Sequence, residues 1–432
     1  LTGRGGVLDV QLVAGPGAWL AGRDTRAWGY NGTSPGPTLR LRPGDLLRVR
    51  LVNALDQPTN LHTHGLHVSP AGNSDNPFVT VAPGGSFDYA IRIPADHPAG
   101  TFWYHPHHHG NVADQIFAGL VGAIVIEGGP ELPVTDDRIL LVTDTTLDGS
   151  GSVVPASPAD NVLGREGDLV LVNGQHRPTI AMSPSAVERW RVVNGCASRV
   201  LSVRLDGHRL TQIALDGIPL PAPVDQDHLV LAPGGRADVL VRPAGAGTYA
   251  LVADPYPRGM AMGGRAMGGA RRAATVVLAT VSVTGRAGSA PLLPAILPAP
   301  AVPSGPVSAS RELTLTGGMG MMGFAIDGRT FRPDRDDITV RLGSVEDWTV
   351  VNASPVAHPF HLHAWRVHVL AASAGAPPTG VLQDVVLVPA RGWARLRIPF
   401  TDFVGRTVFH CHILDHEDRG MMGTINVVAE NG

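Results

Sequence analysis

The sequence predicts an all-β chain built as three tandem β-sandwich domains, on three observations. Glycine (53) and proline (37) make up about a fifth of the 432 residues and charged residues only 16%, a balance that suits short strands joined by turns better than long helices. A segment that alternates polar and apolar residues and ends in Val-Asn occurs three times, at 46–53, 187–194 and 345–352. A period of two marks a half-buried strand. The copies lie roughly 150 residues apart, too long for a solenoid repeat and right for a whole domain.

Each copy leads into a turn and a further strand. Ala82-Pro83-Gly84-Gly85 precedes the strand-like segment 87–91, Ala232-Pro233-Gly234-Gly235 precedes 237–241, and Val388-Pro389-Ala390-Arg391 precedes 394–398. A third echo begins at Gly100-Thr101-Phe102, at Gly247-Thr248-Tyr249 and at Arg406-Thr407-Val408. The first domain is expected to close after 123–126 and to span 1–132, the second to span 133–290 and the third 309–432. The Pro/Ala-rich stretch 291–308 reads as a linker, because clustered prolines fit neither a central strand nor a helix. The Gly-, Met- and Arg-rich stretch 258–272 has neither period and reads as a loop.

Composition also excludes functions. The 34 basic and 37 acidic residues leave a net charge of −3, which argues against a nucleic-acid partner or a basic membrane-surface protein. Every basic residue is arginine, so P-loop and Schiff-base chemistries, which need lysine, are ruled out. No run of 18 apolar residues is present, and no membrane span is expected. Two distant cysteines, Cys196 and Cys411, are too few for a disulfide framework, and no bridge between them is expected. The chain starts Leu1-Thr2-Gly3-Arg4 without a charged-then-apolar leader, the look of a mature or trimmed chain.

The histidines carry the chemistry. Most of the 18 fall in four clusters: His62-Thr63-His64-Gly65; Trp103-Tyr104-His105-Pro106-His107-His108-His109; His358-Pro359-Phe360-His361-Leu362-His363; and His410-Cys411-His412 followed by His416 and Met421. The middle repeat has only the scattered His176, His208 and His228. Any single His-X-His is as readily an ordinary surface or core pair, but on a strand it puts two imidazoles on one face, and four such pairs from two domains can converge. Imidazoles alone suit copper, zinc, iron or nickel. Cys411, between two ligand-type histidines, faces the other side of its strand, where it can meet His416, Met421 and His358. Two His, a thiolate and a weak axial Met are the ligand set of a mononuclear blue-copper site. Its covalent neighbours His410 and His412 then give a short bonded route from that copper to metals on the other face, as a protein that collects single electrons and spends four on dioxygen requires.

Together the motifs H-x-H-G, W-Y-H-P-H, H-P-F-H-L-H and H-C-H-x3-H-x4-M resemble the four copper signatures of the multicopper oxidases, over essentially the whole chain and most nearly the bacterial three-domain laccase and cuprous-oxidase branch. The resemblance implies three cupredoxin-like Greek-key domains and four copper ions. It implies His358, Cys411, His416 and axial Met421 for the type 1 copper, and His62 and His361 for type 2. The type 3 pair would take His64, His105, His107, His363, His410 and His412. Thr63 stands where the family often has Trp, on the face away from the ligands. The implied reaction is one-electron oxidation of phenols or aromatic amines coupled to reduction of dioxygen to water, by a periplasmic or extracellular protein. Because three domains complete the cluster within one chain, a monomer is expected.

Glu417 and Asp75 are the resemblance's candidates for delivering protons to the oxygen site, a role that suits a carboxylate poised by burial; Asp418 reads as a solvated loop acid. Met260, Met262 and Met267, with Met319, Met321 and Met322, offer soft thioethers for a Cu(I) substrate, or else an adaptable loop over the type 1 site. Cuprous ion is therefore the rival donor, and a copper-binding or structural relative without activity the non-enzymatic alternative. His108 and His109 are expected in a turn or outer role, His67, His97 and His368 in ordinary structure, and Cys196 as a buried free thiol.

Overall fold

The computed structural model describes residues 1–129, 131–259, 261–262, 265–266, 274–286, 299, 301–302, 305–317, 323–374 and 381–429. They form three β-sandwiches in series. In the first, a sheet ordered Trp28–Tyr30, Val7–Pro16, Leu46–Asn53, Ser86–Arg92 faces one ordered Leu39–Leu41, Gly122–Ile126, Gly100–His105, His62–His64. In the third, Ala325–Ile326, Ala309–Thr316, Val345–Asn352, Trp393–Pro399, Val367–Ala372 and Leu382–Gln383 form one sheet. Ile338–Arg341, Met422–Val428, Gly405–Cys411, His358–Leu362 and Val385–Val388 form its partner. The middle sandwich repeats the third's strand arrangement. Non-consecutive neighbours in each sheet of the three sandwiches are the crossovers of a Greek-key fold.

The repeated strand does the same work three times. Its alternation buries one face, as in the pattern of Val345–Asn352, and its terminal asparagine ties down the following turn. Asn53, Asn194 and Asn352 each accept the backbone N–H two residues on and donate through Nδ2 to carbonyls across the loop. In the second and third copies a fully buried tryptophan, Trp190 or Trp348, donates Nε1–H to Glu188 or Glu346, and Arg138 or Arg311 closes the same carboxylate from the neighbouring strand. Each sandwich has its own apolar core, the middle one around Trp190, Val203 and Val239, the third around Trp348, Phe360 and Phe409.

Of the stretch 291–308, the described residues (299, 301–302 and 305–308) hold no strand. Within 258–272, Ala261–Met262 and Arg265–Ala266 pair as a two-residue antiparallel ladder, a correction to the plain loop expected; two residues a side are too few to leave a period in sequence. Three short helices complete the described residues, of which Val112–Phe117 and Leu414–Glu417 pack where the first and third domains meet. No described helix is long and apolar enough to cross a membrane.

Candidate metal centre

Four strands aim the motifs. His62–His64 pairs with Gly100–His105 so that His62 lies opposite His105. His358–Leu362 pairs with Gly405–Cys411, with His361 opposite His410 and Phe360 opposite Cys411. The period of two therefore sends His410 and His412 one way and Cys411 the other. The first and third domains meet along these strands, and all ten candidate imidazoles, with Cys411 and Met421, are at most 2% exposed.

They gather into four groups whose ligand atoms lie within 4.8 Å of one another: His64, His105 and His412; His107, His363 and His410; His62, His64 and His361; and His358, Cys411 and His416. Three of these mix residues of the first and third domains. The Nε2 of His410 lies 3.2 Å from that of His107 and 3.1 Å from that of His363, while His105 Nε2 is 3.4 Å from His64 Nδ1. His62 stacks on His363 and His64 on His361, at 3.9 and 4.0 Å between ring centres. In the fourth group His358 Nδ1 is 3.2 Å from Cys411 Sγ and 3.3 Å from His416 Nδ1. Met421 is buried in the same cluster of side chains, and its backbone bonds those of Cys411 and His416.

Burial lowers the pKa of all ten imidazoles, to about 3 for His358 and about 4 for His107 and His410. They are neutral, with lone pairs to give. The Nε2 of His62 and of His361 and both nitrogens of His412 are buried without a hydrogen-bond partner, a costly state that a metal ion relieves. Burial also pushes the Cys411 thiol up, so a thiolate there requires a cation beside it. Imidazole-only groups next to a His2Cys group fit copper in two kinds of site.

The surroundings orient these rings. His62 holds Asp75 through Nδ1 at 3.0 Å, and the Thr63 N–H donates to the same carboxylate. Glu417, fully buried, lies 3.1 Å from His410 Nδ1 and 3.4 Å from His107 Nε2; burial raises both Asp75 and Glu417 to about 7. His358 Nε2 meets Ser354 Oγ at 2.7 Å. His416 Nε2 meets the Val162 carbonyl at 3.0 Å, and Phe324 stacks on that ring at 4.0 Å. Arg258 donates from its side chain to the carbonyls of Ser198 and Leu163, and its own carbonyl accepts from Ala357 N–H, beside His358.

Other expectations resolve individually. Asp418 is not a solvated loop acid: it accepts the N–H groups of Gly110, Val112 and Ala113 of the first domain. His109 packs on Phe331 and His67 bonds the Ala364 carbonyl and Asp402. Cys196 is a buried free thiol. Met260, Met267, Met319, Met321 and Met322 lie outside the described residues, as does the Met262 side chain. Sequence reasoning missed Asp384, whose Oδ1 is 3.1 Å from His64 Nε2 and whose carbonyl is 2.7 Å from His361 Nδ1. Nothing in the local pattern Leu382-Gln383-Asp384-Val385 marks it.

Family models described as multicopper oxidase match residues 15–131, 136–277 and 305–431. The chain belongs to the multicopper oxidase family. It is 29% identical over 472 residues to a laccase of Bacillus stratosphericus, covering 94% of this chain and 91% of that protein. It is 31% identical over 404 residues to the cell division protein FtsP of Edwardsiella tarda, covering 90% and 80%. Among solved structures, a multicopper oxidase of Campylobacter jejuni described as a metallo-oxidase superposes with a TM-score of 0.87 at 29% identity, over 99% of this chain and 92% of that one. This multicopper oxidase is thus a copper-dependent oxidoreductase that uses dioxygen as electron acceptor.

Proposed function

We propose that the chain carries four copper ions in one monomer divided as 1–132, 133–290, a linker 291–308, and 309–432. His358, Cys411, His416 and Met421 hold type 1 copper, and His62 and His361 hold type 2. One type 3 copper sits on His64, His105 and His412 and the other on His107, His363 and His410. The observation that carries this is the placement of three consecutive residues in three different groups: His410, Cys411 and His412. All twelve positions are present, which supports an active oxidase over a structural relative.

Bound copper supplies one-electron acceptance at the Cys411 group and four-electron reduction of dioxygen at the histidine groups. The chain's own residues arrange the rest. The peptide bonds on either side of Cys411 join its sulfur to His410 and His412 without a through-space gap. Burial excludes water from both regions. Glu417 holds a proton at its carboxyl, beside His410 Nδ1 and His107 Nε2. Asp75 holds the Nδ1 proton of His62 and so turns Nε2 of that ring inward.

Phenols and aromatic amines are the donors favoured, in an exported protein, because outer-sphere transfer needs little shape recognition. With copper loaded, Cys411→Ser is expected to lose the blue absorption and keep the three other coppers. Retained colour, or loss of all copper, overturns the assignment. Glu417→Gln is expected to keep copper and type 1 reduction but slow reoxidation by dioxygen; an unchanged rate removes Glu417 from the relay. Turnover of a methoxyphenol beside Cu(I), each with and without residues 258–272, separates the donors: loss of the cuprous rate alone on deletion selects the metal-ion reading.

A further inference from the structure

The middle domain holds none of the proposed ligands, yet it reaches the cluster. Its strand Arg236–Val241 is buried along its whole length. Ala237, Val239 and Val241 face the domain's own core, while Arg236 and Asp238 face the other way, where Asp238 accepts from Thr101 Oγ1 of the first domain. Arg236 is fully buried. Its Nη1 and Nη2 grip Asp384 of the third domain at 2.5 and 2.7 Å, and its remaining N–H groups donate to the carbonyls of Thr101, Gly234 and Asp216. Asp216 fixes the same acid from behind: its Oδ2 accepts the backbone N–H groups of Asp384 and Val385, and its Oδ1 accepts that of Arg236.

Asp384 in turn touches two rings of the cluster, His64 through its carboxylate and His361 through its carbonyl. Each contact uses one ring nitrogen and leaves the other: His64 presents Nδ1 to His105, and His361 keeps Nε2 without a hydrogen-bond partner. Two glycines make room. A Cβ on Gly65, the last residue of H-x-H-G, would overlap Arg236 Nη2 and come within 2.6 Å of Asp384 Oδ2. A Cβ on Gly234 would come within 2.9 Å of His412 Nε2 and 3.0 Å of His64 Cε1. The Pro-Gly-Gly turn of the ligand-free domain therefore abuts the cluster directly.

We propose that Arg236, backed by Asp216, is a positioning residue: it locks the Asp384 carboxylate so that His64 and His361 each present one fixed nitrogen to copper. Metal-binding histidines depend on such partners at the other ring nitrogen, and their loss costs roughly 10–100-fold in metal affinity or activity. The bidentate fork matters as well as the charge, since a lysine is a point charge that cannot hold both carboxylate oxygens in one plane. The middle domain is on this account the third wall of the oxygen-reducing site rather than a spacer.

The inference rests on His64 and His361 being copper ligands. The test compares full-length, copper-loaded wild type with Arg236→Lys, Arg236→Gln and Asp384→Asn. Total copper, the blue type 1 absorption, the paramagnetic resonance of type 2 copper and the ultraviolet band of the type 3 pair are read for each. The expected result is blue absorption per chain unchanged, an altered or depleted type 2 signal, a weakened type 3 band, and reoxidation at least about ten-fold slower, with Arg236→Lys milder than Arg236→Gln. Type 2 and type 3 spectra and reoxidation identical to wild type in Arg236→Lys and Asp384→Asn overturn the proposal. So does parallel loss of the blue band in every variant, which marks a general folding role. Wild type that loads only the type 1 copper refutes the ligand assignment itself.

Discussion

Arg165 of the middle domain and Asp415 of the third form a buried ion pair beside the proposed type 1 site. The guanidinium donates from Nε at 2.9 Å and Nη2 at 2.7 Å to Oδ1, while the Arg165 backbone N–H donates to Oδ2 at 2.8 Å. Asp415 is completely buried and Arg165 nearly so. The same guanidinium also donates from Nη1 to Asp114 at 2.5 Å, so removing Asp415 strips it of one of two carboxylates, a loss of charge-assisted hydrogen bonds worth about 1.5–3 kcal/mol. Asp415→Ala is expected to lower the unfolding free energy by that much, and the unfolding midpoint with it, and to loosen the segment joining Cys411 to His416, with loss of blue colour. Thermal unfolding and the visible spectrum check both effects; an unchanged midpoint refutes the pair as an interdomain lock.

Ser354 tunes the type 1 site from outside. Its hydroxyl donates to the Val356 carbonyl and accepts from His358 Nε2, which makes the ring a stronger donor through Nδ1. Ser354→Ala removes that acceptor, so cupric ion is held less well and the potential rises. A lost hydrogen bond of about 1 kcal/mol is on the order of 40 mV for one electron. Redox titration of the blue band measures it, with full copper content as the control. A downward shift contradicts the assigned direction.

Asp418 replaces a missing cap. The helix Val112–Phe117 has Asn111 at its N-terminus with no side-chain cap, and Asp418 accepts from Gly110, Val112 and Ala113 instead. Asp418→Ala leaves those N–H groups unpaired at the domain interface, and a loss of roughly 1–3 kcal/mol is expected in urea unfolding. Asp418→Asn, which keeps an acceptor, is expected to lose less.

Metal removal exposes the cost of so many buried imidazoles. A histidine whose folded pKa is depressed takes its proton more readily when unfolded, so stability falls as pH drops below its unfolded value of about 6.5. The window reaches down to about 4 for His107 and His410 and about 3 for His358. Each group contributes up to about 1.4 kcal/mol per pH unit within it. Copper-free protein is therefore expected to lose stability steeply on acidification, and the loaded protein much less, since copper occupies the lone pairs. Unfolding curves of both forms between about pH 8 and about pH 5 check this; parallel curves contradict it.

The histidines were legible in sequence because strand alternation fixes their faces. The repeat of Val-Asn was legible because Asn53, Asn194 and Asn352 close the same turn three times. What the pattern could not carry is pairing across domains. Asp418 acts on residues 305 to 308 positions away, so its neighbours in sequence suggest only a loop acid. Arg236 occupies the repeat position that Ser86 fills in the first domain. That departure was visible, but its meaning depends on Asp384, which lies 148 residues away with no local mark.

The most direct measurement is anaerobic reduction of the fully copper-loaded protein, followed by mixing with a limiting amount of dioxygen while colour and products are followed. The blue band is expected to bleach on reduction and to return in proportion to the oxygen added, with water formed and no free hydrogen peroxide. A chain that binds copper yet never turns blue, or one that releases peroxide in proportion to the oxygen consumed, contradicts that expectation.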